Sequence, residues 1–185
     1  MISILLAVYN GEKFLEKSIN SILVQTHGEF ELLIGFNGTT DSSKEIVSKF
    51  NDKRIRVFDY FNDKGKSKTL NKLLLESKFD WICIQDDDDV WVDNKLSEQI
   101  KYINEFDVIG TQIMYSDTQD NLRNGPFLKM DDMSIKILSL NGNNQIANSS
   151  AMIRKDSIIE VGDWDEELEG IEDYDMWIRL IKKIS

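Results

Sequence analysis

Four short stretches rich in apolar residues, each the length of one strand and each followed by a stretch of helical periodicity or polar turn, restrict this chain to a sheet covered by helices. Ile2–Val8 is continuously apolar apart from Ser3 and gives way to a turn at Asn10-Gly11. A run without polar alternation belongs to a strand buried on both faces. Phe14, Leu15, Ser18, Ile19, Ile22 and Leu23 then recur at helical spacing. Phe30–Phe36, Ile55–Tyr60 and Trp81–Gln85 read as three further strands. Between them, Ser42 with Glu45 resembles a capping box that opens a helix through Phe50. Leu70, Leu73, Leu74 and Ser77 set one face of another helix against the sheet. Asn94–Tyr102 reads as helix, and Val108–Tyr115 and Ser149–Arg154 as strands. Asp117–Pro126 reads as a polar loop, the stretch around Leu140–Asn144 as irregular, and a last helix begins near Asp173. Alternating strands and helices predict an α/β fold with a central mixed, mainly parallel sheet flanked by helices.

At 185 residues the chain suits one domain. Its net charge of −11 repels nucleic acid and anionic lipid, and no basic run exceeds two residues, so no nucleic acid partner is expected. The apolar runs are far shorter than a membrane span, and a basic signal-peptide start is lacking. The expectation is no transmembrane segment and a cytoplasmic location, with at most peripheral association with a membrane. Cys83 is the single cysteine and has no partner for a disulfide. His27, the single histidine, lies in a helix-to-strand loop and is given no role.

Ligands of α/β sheets bind beyond the carboxyl ends of the strands. Three polar clusters fall there: Tyr9-Asn10, Asn37-Gly38 and Asp86-Asp87-Asp88-Asp89. Strand alternation sets Asp86 and Asp88 on one side and turns Asp87 away. Two such carboxylates are hard ligands for Mg²⁺ or Mn²⁺, which in turn bridge a diphosphate; a solvated acidic turn is the rival reading. Tyr9 offers a ring to stack on a nucleobase, although Tyr-Asn-Gly is also a good turn. Lys64, Lys66 and Lys68 precede a helix N-terminus, where phosphate oxygens bind, although lysines on a loop are commonly solvated.

These residues, taken in order, resemble the family 2 glycosyltransferases. ISILLAVYNGEKFLEKSINSILVQT is similar to the family's opening strand, turn and helix. Glu31 with LLIGFNGTTD resembles its second strand and loop, and Gly65, Ser67 and Asn71 match a G-x-S-x-x-x-N helix start. QDDDDVWVDNKL is similar to the Asp-x-Asp-Asp motif, and VGDWDEEL and EDYDMWIRL to the last two signatures. The resemblance implies a GT-A fold and inverting transfer from a nucleotide-sugar donor to a hydroxyl of a glycan, lipid-linked or protein-linked acceptor. It implies Asp173 as general base, with helix capping as the rival reading of that residue. It places a divalent metal, Mn²⁺ or Mg²⁺, on Asp86 and Asp88, with Asp89 a further ligand or a ribose contact. It assigns Ala7, Tyr9, Asn10, Asn37, Gly38, Lys64, Lys68, Asp86 and Asp87 to the nucleotide, and Trp164 and Glu172 to the acceptor side.

There are three departures from the family pattern. Ala7 stands where proline or threonine is common, and Phe36-Asn37 replaces an aspartate pair in the base pocket. The chain also stops soon after EDYDMWIRL, so residues 1–185 are expected to be one GT-A-like domain, truncated or followed by a further C-terminal domain. Asn37 carries both a donor and an acceptor, which matches uracil or thymine first, cytosine next and guanine last, with UDP favoured. Two other functions remain open: a catalytically inactive sugar-nucleotide-binding or scaffold domain, and a nucleotidyltransferase on a related fold. The latter calls for a Gly-rich, Arg/Lys-bearing loop after the first strand, and AVYNGEKF is a poor one.

Overall fold

The computed structural model describes residues 1–62, 64–117, 121–168 and 170–183. In chain order the elements are β1 (Ile2–Val8), α1 (Leu15–Leu23), β2 (Phe30–Phe36), α2 (Ser43–Ser48), β3 (Ile55–Asp59), α3 (Lys66–Glu76), β4 (Trp81–Asp86) and α4 (Lys95–Gln99). They continue as β5 (Val108–Ile109), β6 (Met114–Ser116), β7 (Leu122–Asn124), α5 (Asp132–Leu140), β8 (Met152–Arg154), α6 (Lys155–Val161) and α7 (Glu172–Lys183). The main sheet has the order β3-β2-β1-β4-β8-β5. β1 pairs in parallel with β2 and β4, and β2 with β3, while β8 runs antiparallel to β4 and β5. No helix among the described residues is long and apolar enough to cross a membrane.

Residue parity in the strands divides the core into two layers. Ile2, Ile4, Leu6 and Val8 face one layer with Leu15, Ile19 and Ile22 of α1. Leu5 faces the other with Leu70 and Leu73 of α3 and Met176, Trp177 and Leu180 of α7. At the amino ends of the strands Glu31, on the α3 side, is buried but well paired. It accepts from Ser3 Oγ at 2.7 Å, from the Lys78 N–H at 2.7 Å and from Arg56 Nη1 at 2.9 Å. Burial alone would raise its pKa, but these donors outweigh it and hold the carboxyl below its ordinary value.

Some local expectations are corrected. Ser42 makes no side-chain cap; Asp41 instead accepts from the Ser43 N–H at 3.0 Å, while the Ser42 N–H goes to Glu12 Oε2 at 3.1 Å. Val108–Tyr115 is not one strand. Val108–Ile109 joins the main sheet, and Met114–Ser116 pairs with Leu122–Asn124 in a separate exposed hairpin, so Asp117–Pro126 is not wholly loop. Its residues 118–120 lie outside the described residues. Helix α5 is stabilised at its start by Asp131, which accepts from the Ser134 N–H at 2.9 Å. The strand expected at Ser149–Arg154 begins with a 3₁₀ turn over Asn148–Ser150.

Candidate active site

Parity in β4 sets the direction of the first aspartate. Ile82 and Ile84 face the α3–α7 layer, and Asp86 follows them. There it meets Lys66, the first residue of α3, whose Nζ lies 2.6 Å from Asp86 Oδ1 and 3.5 Å from Glu172 Oε1. Asn148 Nδ2 donates to both Asp86 oxygens at 3.2 Å. The burial of Lys66 disfavours its charge, but Asp86 beside it, with Glu172 and Asp173, more than offsets that and raises the ammonium pKa.

Alternation stops at Asp86, because the chain turns: the Asp89 N–H donates to the Asp86 carbonyl at 3.2 Å. Asp88 and Asp89 are exposed on this turn rather than laid out along a strand. Asp87 turns to the opposite side, against the β1–α1 loop, where the Tyr9 N–H donates to it and where a Cβ on Gly11 would collide with its carboxylate. Burial, with the neighbouring Asp88 charge, pushes the Asp87 carboxyl up to about 6. Although Asp89 is exposed as a residue, its carboxyl loses part of its hydration against the turn, which with the Asp86 and Asp88 charges raises its pKa against an opposing hydrogen bond from Ser149.

The turn is held by residues that local sequence did not single out. The antiparallel register of β4 and β8, continued past Cys83↔Met152, sets Ser149 opposite Asp86. Ser149 Oγ accepts from the Asp86 N–H at 3.0 Å, and Trp91 Nε1 donates to the Ser149 carbonyl at 2.8 Å. Gln85 Nε2 donates to the Asp89 carbonyl at 2.6 Å and to Ser18 Oγ at 2.9 Å. A run of small polar residues just before an antiparallel partner of β4 was the available signal for Asn148 and Ser149.

The other strand ends lie beside this turn. Ala7 lies beside Asp86 in the β1–β4 register. Tyr9 is 55% exposed and so does not cap the core. Asn10, at φ 54°, ties its loop to the next: its Oδ1 accepts from the Thr40 N–H at 2.9 Å and the Asp41 N–H at 3.3 Å. The Glu12 N–H donates to Asp41 Oδ2 at 2.9 Å and the Gly11 N–H to Ser43 Oγ at 3.0 Å. Asn37 is buried directly after β2, with its N–H on the Val8 carbonyl at 3.0 Å. Gly38 has φ +81°, and a Cβ there would sit 3.2 Å from Lys64 Cγ, so Lys64 lies across it. Lys68 is half-buried in the first turn of α3.

The first turn of α7 completes the cluster with Glu172 and Asp173. Asp173 Oδ1 accepts its neighbour's N–H, from Tyr174, at 2.7 Å. The helix N-terminus was expected to favour the ionised carboxylate. Instead burial dominates and raises the Asp173 pKa, with Glu172 adding to the rise. Trp164 is corrected as an acceptor-side residue: it is 1% exposed, packed in the α3–α7 layer, with its main chain bonded to Asn71. Trp177 is likewise core.

Residues 3–162 match the family described as Glycosyl transferase family 2. The chain belongs to that family. Among this family 2 chain's relatives, the O-antigen biosynthesis glycosyltransferase WbnJ of Escherichia coli is 30% identical over 198 residues, covering 99% of this chain and 72% of WbnJ. S. aureus TarS 1-349 in complex with UDP-GlcNAc superposes with a TM-score of 0.76 at 21% identity, covering 97% of this chain and 53% of that one. The mannosyltransferase PcManGT of Pyrobaculum calidifontis, in complex with GDP-Man and Mn²⁺, gives 0.72 at 14% identity, covering 97% and 51%. The fold is therefore GT-A. The chain spans about half the length of those two solved structures, and as little as 28% of one curated relative.

In this family 2 member Asp86, Asp88 and Asp89 offer only hard oxygen donors, which suit Mg²⁺ or Mn²⁺. Among the described residues no group of three or more acidic, His or Cys side chains closes a metal site unaided. Two buried acceptors beside the cluster, Glu172 Oε2 and Asn148 Oδ1, lack hydrogen-bond partners.

Proposed function

We propose that this domain transfers a sugar from a nucleoside diphosphate, UDP by preference, to a hydroxyl group of a glycan or glycoconjugate, with inversion at the anomeric carbon. The observation that carries the reading is the meeting of Asp86, at the end of β4, with Glu172 and its neighbour Asp173, at the start of α7, through Lys66. Residues 1–185 are taken as one catalytic domain. A relative named for O-antigen biosynthesis supports a glycan acceptor. Complexes of like-folded proteins with UDP-GlcNAc and with GDP-Man and Mn²⁺ support a nucleotide-sugar donor and a divalent ion.

Tyr9, Asn37 and Gly38 take the base side, Ala7, Asn10 and Asp87 border it, and Lys64 and Lys68 lie toward the phosphates. Asp86 and Asp88, with Asp89 beside them, would hold Mn²⁺ or Mg²⁺. When bound, that ion supplies positive charge that stabilises the departing diphosphate. Asp173 takes the proton of the acceptor hydroxyl as its oxygen attacks the anomeric carbon. The carbon–oxygen bond to the diphosphate breaks on the opposite face, and the electron pair leaves with the nucleoside diphosphate. Burial raises the Asp173 pKa, and a more basic carboxylate is the better proton acceptor for this step.

Calorimetric titration of UDP into wild type and Asp88→Ala, with Mn²⁺ and then with EDTA, tests the donor and metal assignment. Tighter binding with Mn²⁺ in the wild type and loss of that gain in the variant are expected. Equal affinity in all four titrations would refute the metal site, and no binding in any would refute the donor reading.

A further inference from the structure

A helix lying on a sheet hides its apolar stripe against the core and turns polar residues outward. Helix α5 departs from this. Met133, Ile137 and Leu140 recur at the i, i+4, i+7 spacing of a single face, yet they are 71%, 53% and 49% exposed. Phe127 and Met130, just before the helix, are more exposed still. The inward side is already packed without them. Ile135 joins the α3–α7 layer, and Ser139 is buried with its carbonyl accepting from the Tyr174 hydroxyl. An exposed apolar face of this kind marks a contact with a membrane or with another macromolecule.

We infer that the outward face of α5, with Phe127 and Met130, docks on a lipid surface. Charge is the first reason to favour lipid over protein. Residues 121–153 carry three cations, Arg123, Lys129 and Lys136, against two carboxylates, Asp131 and Asp132, in a chain of net charge −11. Both carboxylates are engaged locally: Asp131 accepts from the Ser134 N–H at 2.9 Å and Asp132 from Lys136 Nζ at 3.0 Å. The excess negative charge lies elsewhere in the chain, and exposed charges more than about 10 Å apart are largely screened in salt. The second reason is the chemistry of the stripe. Its Met, Ile, Leu and Phe side chains carry no nitrogen or oxygen, whereas protein interfaces hold about one hydrogen bond per 100–200 Å². The acyl boundary of a bilayer asks for none, and lysines bordering an apolar helix face reach its headgroups.

The Tyr174–Ser139 bond ties α5 to the first turn of α7. Docking through α5 therefore sets the start of α7 toward the lipid, which under the function proposed above is the side that meets the acceptor. The docking face itself does not rest on that reading. Flotation of the whole chain with vesicles of phosphatidylcholine, and of phosphatidylcholine mixed with phosphatidylglycerol, tests it without any nucleotide. Wild type should float with both. Ile137→Glu should lose about tenfold in partitioning to both, and Lys129→Glu about tenfold to the mixed vesicles alone. Val24→Glu, at an exposed position at the end of α1 in the other layer, should change neither.

Thermal unfolding checks each variant, and Met133→Glu takes the place of Ile137→Glu if the latter does not fold. A polarity-sensitive fluorophore on Ile137→Cys should shift to the blue on vesicles, and one on Val24→Cys should not; Cys83 is buried and stays unlabelled. Failure of the wild type to float with either vesicle would overturn the inference, as would equal losses for Ile137→Glu and Val24→Glu. So would a wild-type dimer in sedimentation that Ile137→Glu dissolves while flotation persists, which makes the face a contact with a second copy. UDP affinity should be unchanged in all these variants. A wild type that floats but binds no UDP removes the donor reading and leaves the docking face standing.

Discussion

Lys95 is a buried cation without a carboxylate partner among the described residues, and its removal should stabilise the fold at neutral pH. It is 5% exposed, donates from Nζ to Gln99 Oε1 at 2.8 Å and lies 4.0 Å from the centroid of the Trp91 ring. Burial lowers its pKa from 10.5 to about 8. At about 1.4 kcal/mol per pH unit, keeping the ammonium charged in the fold costs about 3 kcal/mol at pH 7. Lys95→Met keeps the apolar stem and removes the charge, but leaves Gln99 Oε1 short of a donor, which costs about 1–3 kcal/mol. The expected result is a variant about 1 kcal/mol more stable at pH 7. The unfolded chain keeps this lysine protonated up to about 10.5 and the folded chain only up to about 8. The unfolded state therefore binds more protons between those values, and wild-type stability rises with pH across that window. Urea unfolding of both proteins at pH 7, 8, 9 and 10 gives the difference, in which other titrating groups cancel. Wild type should gain about 3 kcal/mol on the variant by the upper end of the series. Parallel profiles, or a gap that widens with pH in favour of the variant, would refute the reasoning.

Asp173→Asn should lower transfer by about 10²–10⁴-fold while leaving UDP affinity nearly intact; near-normal turnover with chemistry rate-limiting places the base elsewhere. Glu31→Ala should destabilise the fold by about 3 kcal/mol in urea unfolding, since it leaves the Ser3 hydroxyl and the Lys78 N–H without their acceptor and leaves Arg56 only Glu76. The lowered Glu31 pKa puts its contribution above the unfolded pKa, so the gap between wild type and variant should close as pH falls through the folded value. Competitive binding of four diphosphates at fixed Mn²⁺ should rank UDP or dTDP first, CDP next and GDP last. GDP binding tightest would show that Asn37 does not read the base.

The sheet was legible because period and parity are local properties. Ile2, Ile4, Leu6 and Val8 differ from Leu5 in the layer they face, and simple alternation predicts it. The same alternation was right for Asp86 and failed two residues later, where a hydrogen-bonded turn replaced the strand. Glu172 and Asp173 were found by resemblance, but their link to Lys66 was not, because the two partners lie far apart in sequence. Asn148 meets Asp86 across 62 residues, and only the antiparallel register of β8 brings it there. At Ser42 a serviceable capping pattern lost to Asp41, a stronger acceptor one residue earlier.

The bonds between the β1–α1 and β2–α2 loops have a bearing on how this protein meets its ligand. Asn10 and Glu12 on one side, and Asp41 and Ser43 on the other, hold both loops through backbone N–H groups of the facing loop. The two loops are ordered when the chain folds, so under the function proposed above a nucleotide binding between Tyr9 and Asn37 would not need to freeze them. Association would then forfeit little conformational entropy, and on the proposed reading a change of side chain at Asn37 would retune base choice on a frame whose shape is already set. Severing the tie, with Asn10→Ala for instance, shifts that ordering cost from folding to binding, and affinity falls for every nucleotide alike.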